Sequence, residues 1–142
     1  MNRICHLLEY KGHQVETIDA NATVAEAVAR MNQRRIGSIV VTRGDVLAGI
    51  LTERDVLTRI VACGHDPKNI EVCEVMTTEL VTVELDTPIN VAMRLVTDKR
   101  CRHLPVVDSG RVLGLVSGGD LTAWLLRDQE RTIYDLHDYI TH

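Results

Sequence analysis

Two short segments of the sequence place a hydroxyl and a carboxylate together at the expected start of a helix. Residues 49–55 (GILTERD) recur as residues 114–120 (GLVSGGD), so that glycine, a hydroxyl residue and aspartate keep their places. A hydroxyl followed three residues later by an acid forms a capping box, which satisfies free N–H groups of the first helical turn. The same groups suit a ribose diol beside a phosphate, because a helix N-terminus attracts anions. Their retention while the neighbours differ favours binding over capping alone.

These segments belong to an internal repeat. Shifting the chain by 65 residues aligns Thr17 with Thr82 and Ala27 with Ala92 without a gap, and the hydrophobic class is kept along most of the overlap. The pattern in each unit predicts a strand, a helix, a hairpin and a second helix, or β-α-β-β-α. One such unit has a marginal core, so we expect the two to pack on each other.

The repeat also divides the chain. We expect a first repeat at residues 10–64, a turn-rich linker at 65–74 and a second repeat at 75–128. Amphipathic segments at 1–9 and 129–142 flank them, and their apolar stripes need either the sheets or a second subunit as a partner. The sequence does not choose between these two.

Local signals define the elements within each repeat. Thr23 begins a capping box in the first repeat, whereas Thr87 is the expected N-cap in the second, with Pro88 at the first helical position. The hairpin strands are continuously apolar, which predicts cover on both faces. Their turns are expected at Gly44-Asp45 and Ser109-Gly110. The second helix of the first repeat is expected to end at Gly64. The basic pairs that end the first helices are interpreted as solvated cations: Arg34-Arg35 and Lys99-Arg100.

Composition excludes several classes of function. The net charge is −4 and only 3% of residues are aromatic, which argues against a nucleic-acid partner. No run approaches the roughly 20 apolar residues of a membrane span, and no secretory signal is evident, so we expect a cytoplasmic protein without a membrane partner. The four cysteines are separated and are expected to be reduced thiols: Cys5, Cys63, Cys73 and Cys101.

Catalytic and metal-binding signatures are missing. The sequence contains no paired nucleophile and base and no phosphate-binding glycine motif of the common kinds, which predicts that the chain is not an enzyme. Cys63 with His65 and Cys101 with His103 each resemble half of a metal site, but each lacks an obvious second pair. We therefore predict no metal site and no obligatory cofactor, and keep a metal or redox switch at Cys101 and His103 as a third hypothesis.

The motifs together resemble a tandem pair of cystathionine-β-synthase (CBS) domains. The resemblance is carried by the two glycine–hydroxyl–aspartate turns and by the segments Thr17-Ile18, 75–77 (VMT), 81–83 (VTV) and 102–108 (RHLPVVD). It covers roughly residues 10–127, and residues 132–136 (TIYDL) resemble the ends of small stand-alone CBS-pair proteins. The resemblance implies an α/β (α+β) fold in which two β-α-β-β-α repeats pack pseudo-symmetrically through their sheets.

The resemblance also implies a ligand. CBS pairs bind adenine nucleotides in two clefts, so AMP, ADP, ATP or NAD(H) is expected here, with S-adenosylmethionine ranked after these. Asp55 and Asp120 would accept hydrogen bonds from ribose hydroxyls, and backbone groups of Ile18 and Val83 would hold the adenine edge. The hydrophobic residues Ile39, Ile50, Leu104 and Leu115 would pack near the adenine faces. The full set implied for the nucleotide is Thr17, Ile18, Gly37, Ser38, Ile39, Thr52, Arg54, Asp55, Thr82, Val83, Arg102, His103, Leu104, Pro105, Ser117 and Asp120.

The two implied sites are not equivalent. The second repeat has Arg102 and His103 where the first has Gly37 and Ser38, and guanidinium groups suit phosphate. We therefore predict two sites of unequal affinity, and one of them alone occupied as a further option. The leading hypothesis is a regulatory module, expected to be a homodimer, that senses energy or redox state and acts on a separate, unidentified protein or through self-association. The alternative is a CBS-pair scaffold that uses no ligand.

Overall fold

The first repeat forms a hairpin flanked by helices. The computed structural model describes residues 2–141, with the side chains of 134, 135 and 138–141 outside the description. Thr23 caps the first long helix through the Glu26 N–H, as the sequence predicts. The elements of the first repeat are β1 (Thr17–Asp19), α2 (Val24–Arg34), β2 (Ser38–Arg43), β3 (Val46–Thr52) and α3 (Glu53–Val56), followed by a π-helical turn (Leu57–Val61). Helix α1 (Ile4–Lys11) precedes the repeat.

The second repeat has the same order with one difference. Its elements are α4 (Val72–Val75), α5 (Ile89–Lys99), β4 (His103–Asp108), β5 (Arg111–Ser117) and α6 (Gly118–Thr141). The first strand of the predicted β-α-β-β-α order is reduced here to a single parallel bridge, which pairs Val83 with Val106. A turn starts immediately after it, where the Thr87 N–H donates to the Glu84 carbonyl at 3.2 Å. The chain therefore leaves the sheet before a second pair can form.

The start of α5 corrects a second expectation. Pro88 is the N-cap, with an extended ψ of 145°, and the helix begins at Ile89. The Thr87 hydroxyl instead accepts the Glu84 N–H at 2.9 Å, so it stabilises the preceding turn and not the helix.

The two hairpins join at one corner. The strand order is β1-β2-β3-β5-β4, and the central contact is a single antiparallel pair, Val46 with Arg111. The Leu47 N–H also donates to the Gly110 carbonyl at 3.0 Å. The expectation of an α/β fold built from two repeats is confirmed, although the sheets meet edge to edge here as one five-stranded sheet. Strand β2 is buried from Ser38 to Thr42, which confirms cover on both faces.

Each repeat has its own hydrophobic core, and the N-terminal helix belongs to the second. Ile4, Leu7 and Leu8 of α1 are fully buried among residues of α5, β4 and β5. This assigns the N-terminal stripe to the second repeat, a choice that the sequence leaves open. The C-terminal segment continues α6 as far as Thr141, where Ile133 and Leu136 remain exposed. No helix within residues 2–141 has the length and hydropathy of a membrane span.

Candidate functional site

Two open clefts lie between the repeats and are related by the 65-residue shift. Cleft A, of about 650 Å³, combines Thr52–Arg54 of the first repeat with residues 79–81 and 99–103 of the second. Cleft B, of about 820 Å³, combines Ser117 of the second repeat with residues 14–16 and 36–38 of the first. Each cleft thus takes the strand-to-helix turn of one repeat and the segments around the first helix of the other. The sequence repeat produces this exchange, because equivalent segments meet across a pseudo-twofold arrangement.

The ends of α2 and α5 aim equivalent segments at the clefts. Arg35 and Arg100 both adopt left-handed backbone conformations, with φ of 56° and 52°. This turn ends each helix and directs the next residues toward the following strand. Residues 36–38 therefore line cleft B, and residues 101–103 line cleft A.

Asp55 is buried behind cleft A. Its side chain accepts the Thr52 N–H at 3.0 Å, while the Thr52 hydroxyl accepts the Asp55 N–H at 3.1 Å, which is the predicted capping box. The Thr77 hydroxyl also donates to the Asp55 carboxylate at 3.1 Å. Thr77 lines the cleft, so a neutral hydroxyl connects the buried acid to the cleft surface.

Asp120 is held differently beside cleft B. The Lys11 ammonium donates to Asp120 Oδ2 at 2.5 Å and to the Leu115 carbonyl at 2.6 Å. The Ser117 N–H donates to the same carboxylate oxygen at 2.8 Å, completing a capping box like that of the first repeat. A charged side chain of α1 therefore satisfies the carboxylate that a ribose was expected to contact.

The environment of Asp120 favours its charged form. Burial raises the pKa of this carboxyl, but hydrogen bonds from Lys11 and Ser117 and the Lys11 charge outweigh it and hold the pKa below the ordinary 3.8. As the pH falls below 3.8, the unfolded chain takes up a proton at this carboxyl more readily than the folded state does. The free energy of unfolding therefore decreases from about that pH down to the lower pKa of the folded state.

We expect Asp120→Asn to reduce this acid sensitivity. Urea unfolding at about pH 5 and about pH 3 should show a smaller loss of unfolding free energy in the variant than in the parent chain. Glu9→Gln is the matched control, because Glu9 is exposed and, among the described residues, accepts no side-chain hydrogen bond. It should leave the loss of unfolding free energy between the two pH values unchanged. An equal loss in parent and Asp120→Asn would contradict the role given to the Lys11 pair.

His103 lines both clefts. Burial lowers the pKa of its imidazole, the Lys11 and Arg102 charges lower it further, and Asp120 opposes them. The ring is therefore mainly neutral near pH 7, and an anion bound beside it would favour its protonation.

The two clefts differ in the pairing of their charged side chains. Cleft A is lined by Arg54, Lys99, Arg100 and Arg102, against the two acids Glu53 and Glu79. Across the described part of the chain, none of these basic side chains forms an ion pair or hydrogen bond. In cleft B both cations are paired, Lys11 with Asp120 and Arg34 with Glu16 at 3.0 Å. Cations without an ion-pair partner therefore line cleft A and not cleft B.

The structure brings together part of the predicted site. Gly37, Thr52, Arg54, Arg102 and His103 line cleft A, and Gly37, Ser38, His103 and Ser117 line cleft B. Ile50 and Leu115, expected near the adenine, line cleft A and cleft B respectively. The other predicted residues do not line either cleft: Thr17, Ile18, Ile39, Asp55, Thr82, Val83, Leu104, Pro105 and Asp120.

The hydrophobic members of that second group are core residues. Ile18, Ile39, Val83 and Leu104 are at most 5% exposed. The Val83 N–H donates to the Pro105 carbonyl at 3.0 Å and its carbonyl accepts the Val107 N–H at 2.9 Å, so strand pairing already uses its backbone groups. Residues 79–81 and 14–16, just before these positions, line the clefts instead.

Several cleft residues escaped the sequence analysis. Lys99 and Arg100, interpreted as solvated cations, line cleft A because the left-handed end of α5 turns them toward it. The repeat offers a signal for them, since they align with Arg34 and Arg35. Lys11 has no such signal, because Met76 stands at its repeat-equivalent position.

In residues 2–141 no three potential metal ligands cluster, and Cys101 lies beside the Leu95 carbonyl.

Comparison with known families decides the classification. The family model of the CBS domain matches residues 9–62 and, a second time, residues 72–127. The chain belongs to the CBS-domain family. The two matches correspond to the two repeats whose segments form the clefts.

Relatives and solved structures agree with this assignment. The chain is 38% identical over 123 residues to the mitochondrial CBS domain-containing protein CBSX3 of Arabidopsis thaliana, covering 83% of this chain and 60% of that protein's length. A CBS-domain protein of Burkholderia ambifaria MC40-6, named for signal transduction, is 35% identical with a TM-score of 0.81, over 89% of this chain and 96% of that one. A hexameric CBS-CP12 protein from bloom-forming cyanobacteria is 31% identical with a TM-score of 0.73, over 84% and 66% of the two chains.

Proposed function

We propose that this CBS pair is a regulatory module that binds an adenine nucleotide in cleft A. The observation that carries the proposal is the group of unpaired cations that line a cleft between the repeats, Arg54 from the first repeat and Lys99, Arg100 and Arg102 from the second. Unpaired guanidinium groups bind phosphate oxygens through charge-assisted hydrogen bonds. The adenine part of the proposal rests on the family, and the place of the phosphates rests on the cations.

The remaining cleft surface fits the rest of a nucleotide. Ile50, Leu80 and Val81 line the cleft and would provide an aliphatic surface for a flat base. The Thr52 and Thr77 hydroxyls, the latter bonded to Asp55, provide hydrogen-bonding groups for a ribose. A base on this surface requires no aromatic partner on the protein, which agrees with the aliphatic composition.

Self-association is the second part of the proposal. Val28, Leu57 and Val61 are 37%, 60% and 63% exposed. Two of them line an apolar groove of about 590 Å³ between α2 and the π-helical turn. A homodimer through this face would bury apolar side chains that water otherwise contacts. The hexameric relative supports self-association in general, and nucleotide binding would act on a separate protein or on this assembly by population shift.

A regulatory role is favoured over catalysis. The repeated pattern of the two turns serves capping and cleft lining. The names of the relatives describe CBS-domain and signal-transduction proteins. The cytoplasmic placement stays a prediction, since one relative is named as mitochondrial.

A nucleotide panel tests the proposal. Thermal unfolding and calorimetry with ATP, ADP, AMP, NAD and S-adenosylmethionine should show stabilisation by at least one of them, of about 2.7 kcal/mol at 100 times its Kd. GTP and inorganic triphosphate are the controls for base and for charge. Mass spectrometry of the denatured, freshly purified protein would identify a ligand that co-purifies. No response to any nucleotide would favour the ligand-free scaffold.

A further inference from the structure

We infer that Lys11 is an internal occupant of cleft B, so that each chain binds one nucleotide, in cleft A. This inference rests on the proposed function and adds a residue that determines stoichiometry. The two clefts are built from equivalent segments, and each has a capped aspartate at the strand-to-helix turn. They differ in the groups that reach the aspartate. Asp55 accepts the Thr77 hydroxyl and has a long ion pair with Arg59 of the following turn, at 3.9 Å, whereas Asp120 accepts Lys11 of α1 at 2.5 Å.

The Lys11 ammonium uses the acceptors that a ribose would need. It contacts Asp120 Oδ2 at 2.5 Å and the Leu115 carbonyl at 2.6 Å, while the Lys11 side chain itself lines cleft B. A ribose diol would donate to the Asp120 carboxylate through neutral hydroxyls. The carboxylate would therefore exchange a charged partner, Lys11, for an uncharged one. Displacement of Lys11 therefore disfavours binding in cleft B.

Helix α1 fixes Lys11 in this place. Three side chains of α1 are buried in the second repeat, and the Ile4 N–H donates to the Thr87 carbonyl at 2.9 Å. The helix ends at Gly12, whose φ of 104° turns the chain away directly after Lys11. Lys11 therefore belongs to a packed helix and is not carried by a loose tail.

Cleft B also lacks free cations to compensate. Lys11 and Arg34 are both paired with acids, and Gly37 and Ser38 stand where cleft A has Arg102 and His103. A phosphate entering cleft B would have to separate an existing ion pair. The same phosphate in cleft A meets side chains that have no ion-pair partner among the described residues.

Stoichiometry measured by calorimetry with ATP tests the inference. We expect one ATP per parent chain and two per chain in Lys11→Met, with the second site removed again by adding Asp120→Asn. Lys68→Met, at an exposed linker lysine, is the matched control and should stay at one. Lys11→Gln, which keeps a polar side chain, serves as the second variant, and a thermal melt confirms that each variant is folded.

The outcomes separate this inference from the proposed function. Two ATP bound per parent chain, or one per folded Lys11→Met and Lys11→Gln chain, would overturn the occupancy of cleft B by Lys11 while leaving nucleotide binding intact. A loss of one site on replacing Lys11 would show that this lysine binds phosphate, which also overturns the inference. No ATP binding by parent or variants would reject the proposed function itself.

Discussion

Gly49→Ala is expected to lower the free energy of unfolding by about 3 kcal/mol, at the upper end of the usual cost of overpacking a core. A Cβ at Gly49 would lie 2.7 Å from Met76 Sδ and 2.8 Å from the Thr77 carbonyl oxygen. That carbonyl accepts the Ile50 N–H at 3.0 Å, so the clash presses on paired backbone and not only on a movable side chain. Thermal and urea unfolding measure the effect, which corresponds to a fall in Tm of about 10 °C for a chain of this size.

The repeat supplies the control for this prediction. Gly114 is the equivalent glycine, and a Cβ there would meet only Leu8 side-chain atoms, at 3.2 Å. Gly114→Ala is expected to cost about 1 kcal/mol, because a side chain can shift by a few tenths of an ångström. Equal destabilisation by the two variants would contradict the close approach of residues 76–77 to β3. Since Thr77 also bonds Asp55, Gly49→Ala should weaken nucleotide binding in cleft A as well.

Arg54→Gln combined with Arg102→Gln is expected to weaken ATP binding by at least about 100-fold. Each side chain supplies a charge-assisted contact worth about 1.5–3 kcal/mol, and about 1.4 kcal/mol corresponds to a factor of ten. Neither guanidinium forms an ion pair or hydrogen bond in the described structure, so replacing it leaves no buried charge unpaired. Calorimetry gives the Kd, and unfolding should show stability close to that of the parent.

The nucleotide series sharpens this second prediction. The loss should be larger for ATP than for AMP, because ATP brings more phosphate oxygens to the cations of cleft A. Arg34→Gln is the matched control in cleft B, where the guanidinium pairs with Glu16, and it should leave the Kd for ATP within about twofold. A uniform effect of all three substitutions on every ligand would indicate a general charge effect and not a phosphate site in cleft A.

Much of the fold follows from local and repeated patterns. The Thr23 cap, the hairpin turns at Gly44 and Gly110 and the paired capping boxes at Asp55 and Asp120 all depend on residues close in sequence. Short-range hydrogen bonds and φ preferences decide such features, so a sequence pattern predicts them. The first strand of the second repeat is reduced to one bridge at Val83, because its pairing depends on where the following turn diverts the chain.

The sequence by itself determined the repeat, the family it resembles and the two capped carboxylates, Asp55 and Asp120, at the strand-to-helix turns. Only the tertiary structure decided that these equivalent carboxylates have different partners. Lys11 and Asp120 are separated by 109 residues, and they meet because the apolar face of α1 packs on the second repeat. Lys99 and Arg100 likewise line cleft A through the left-handed end of α5 and the apposition of the repeats. Such contacts are set by packing over long sequence separations, which neither spacing nor residue type encodes locally.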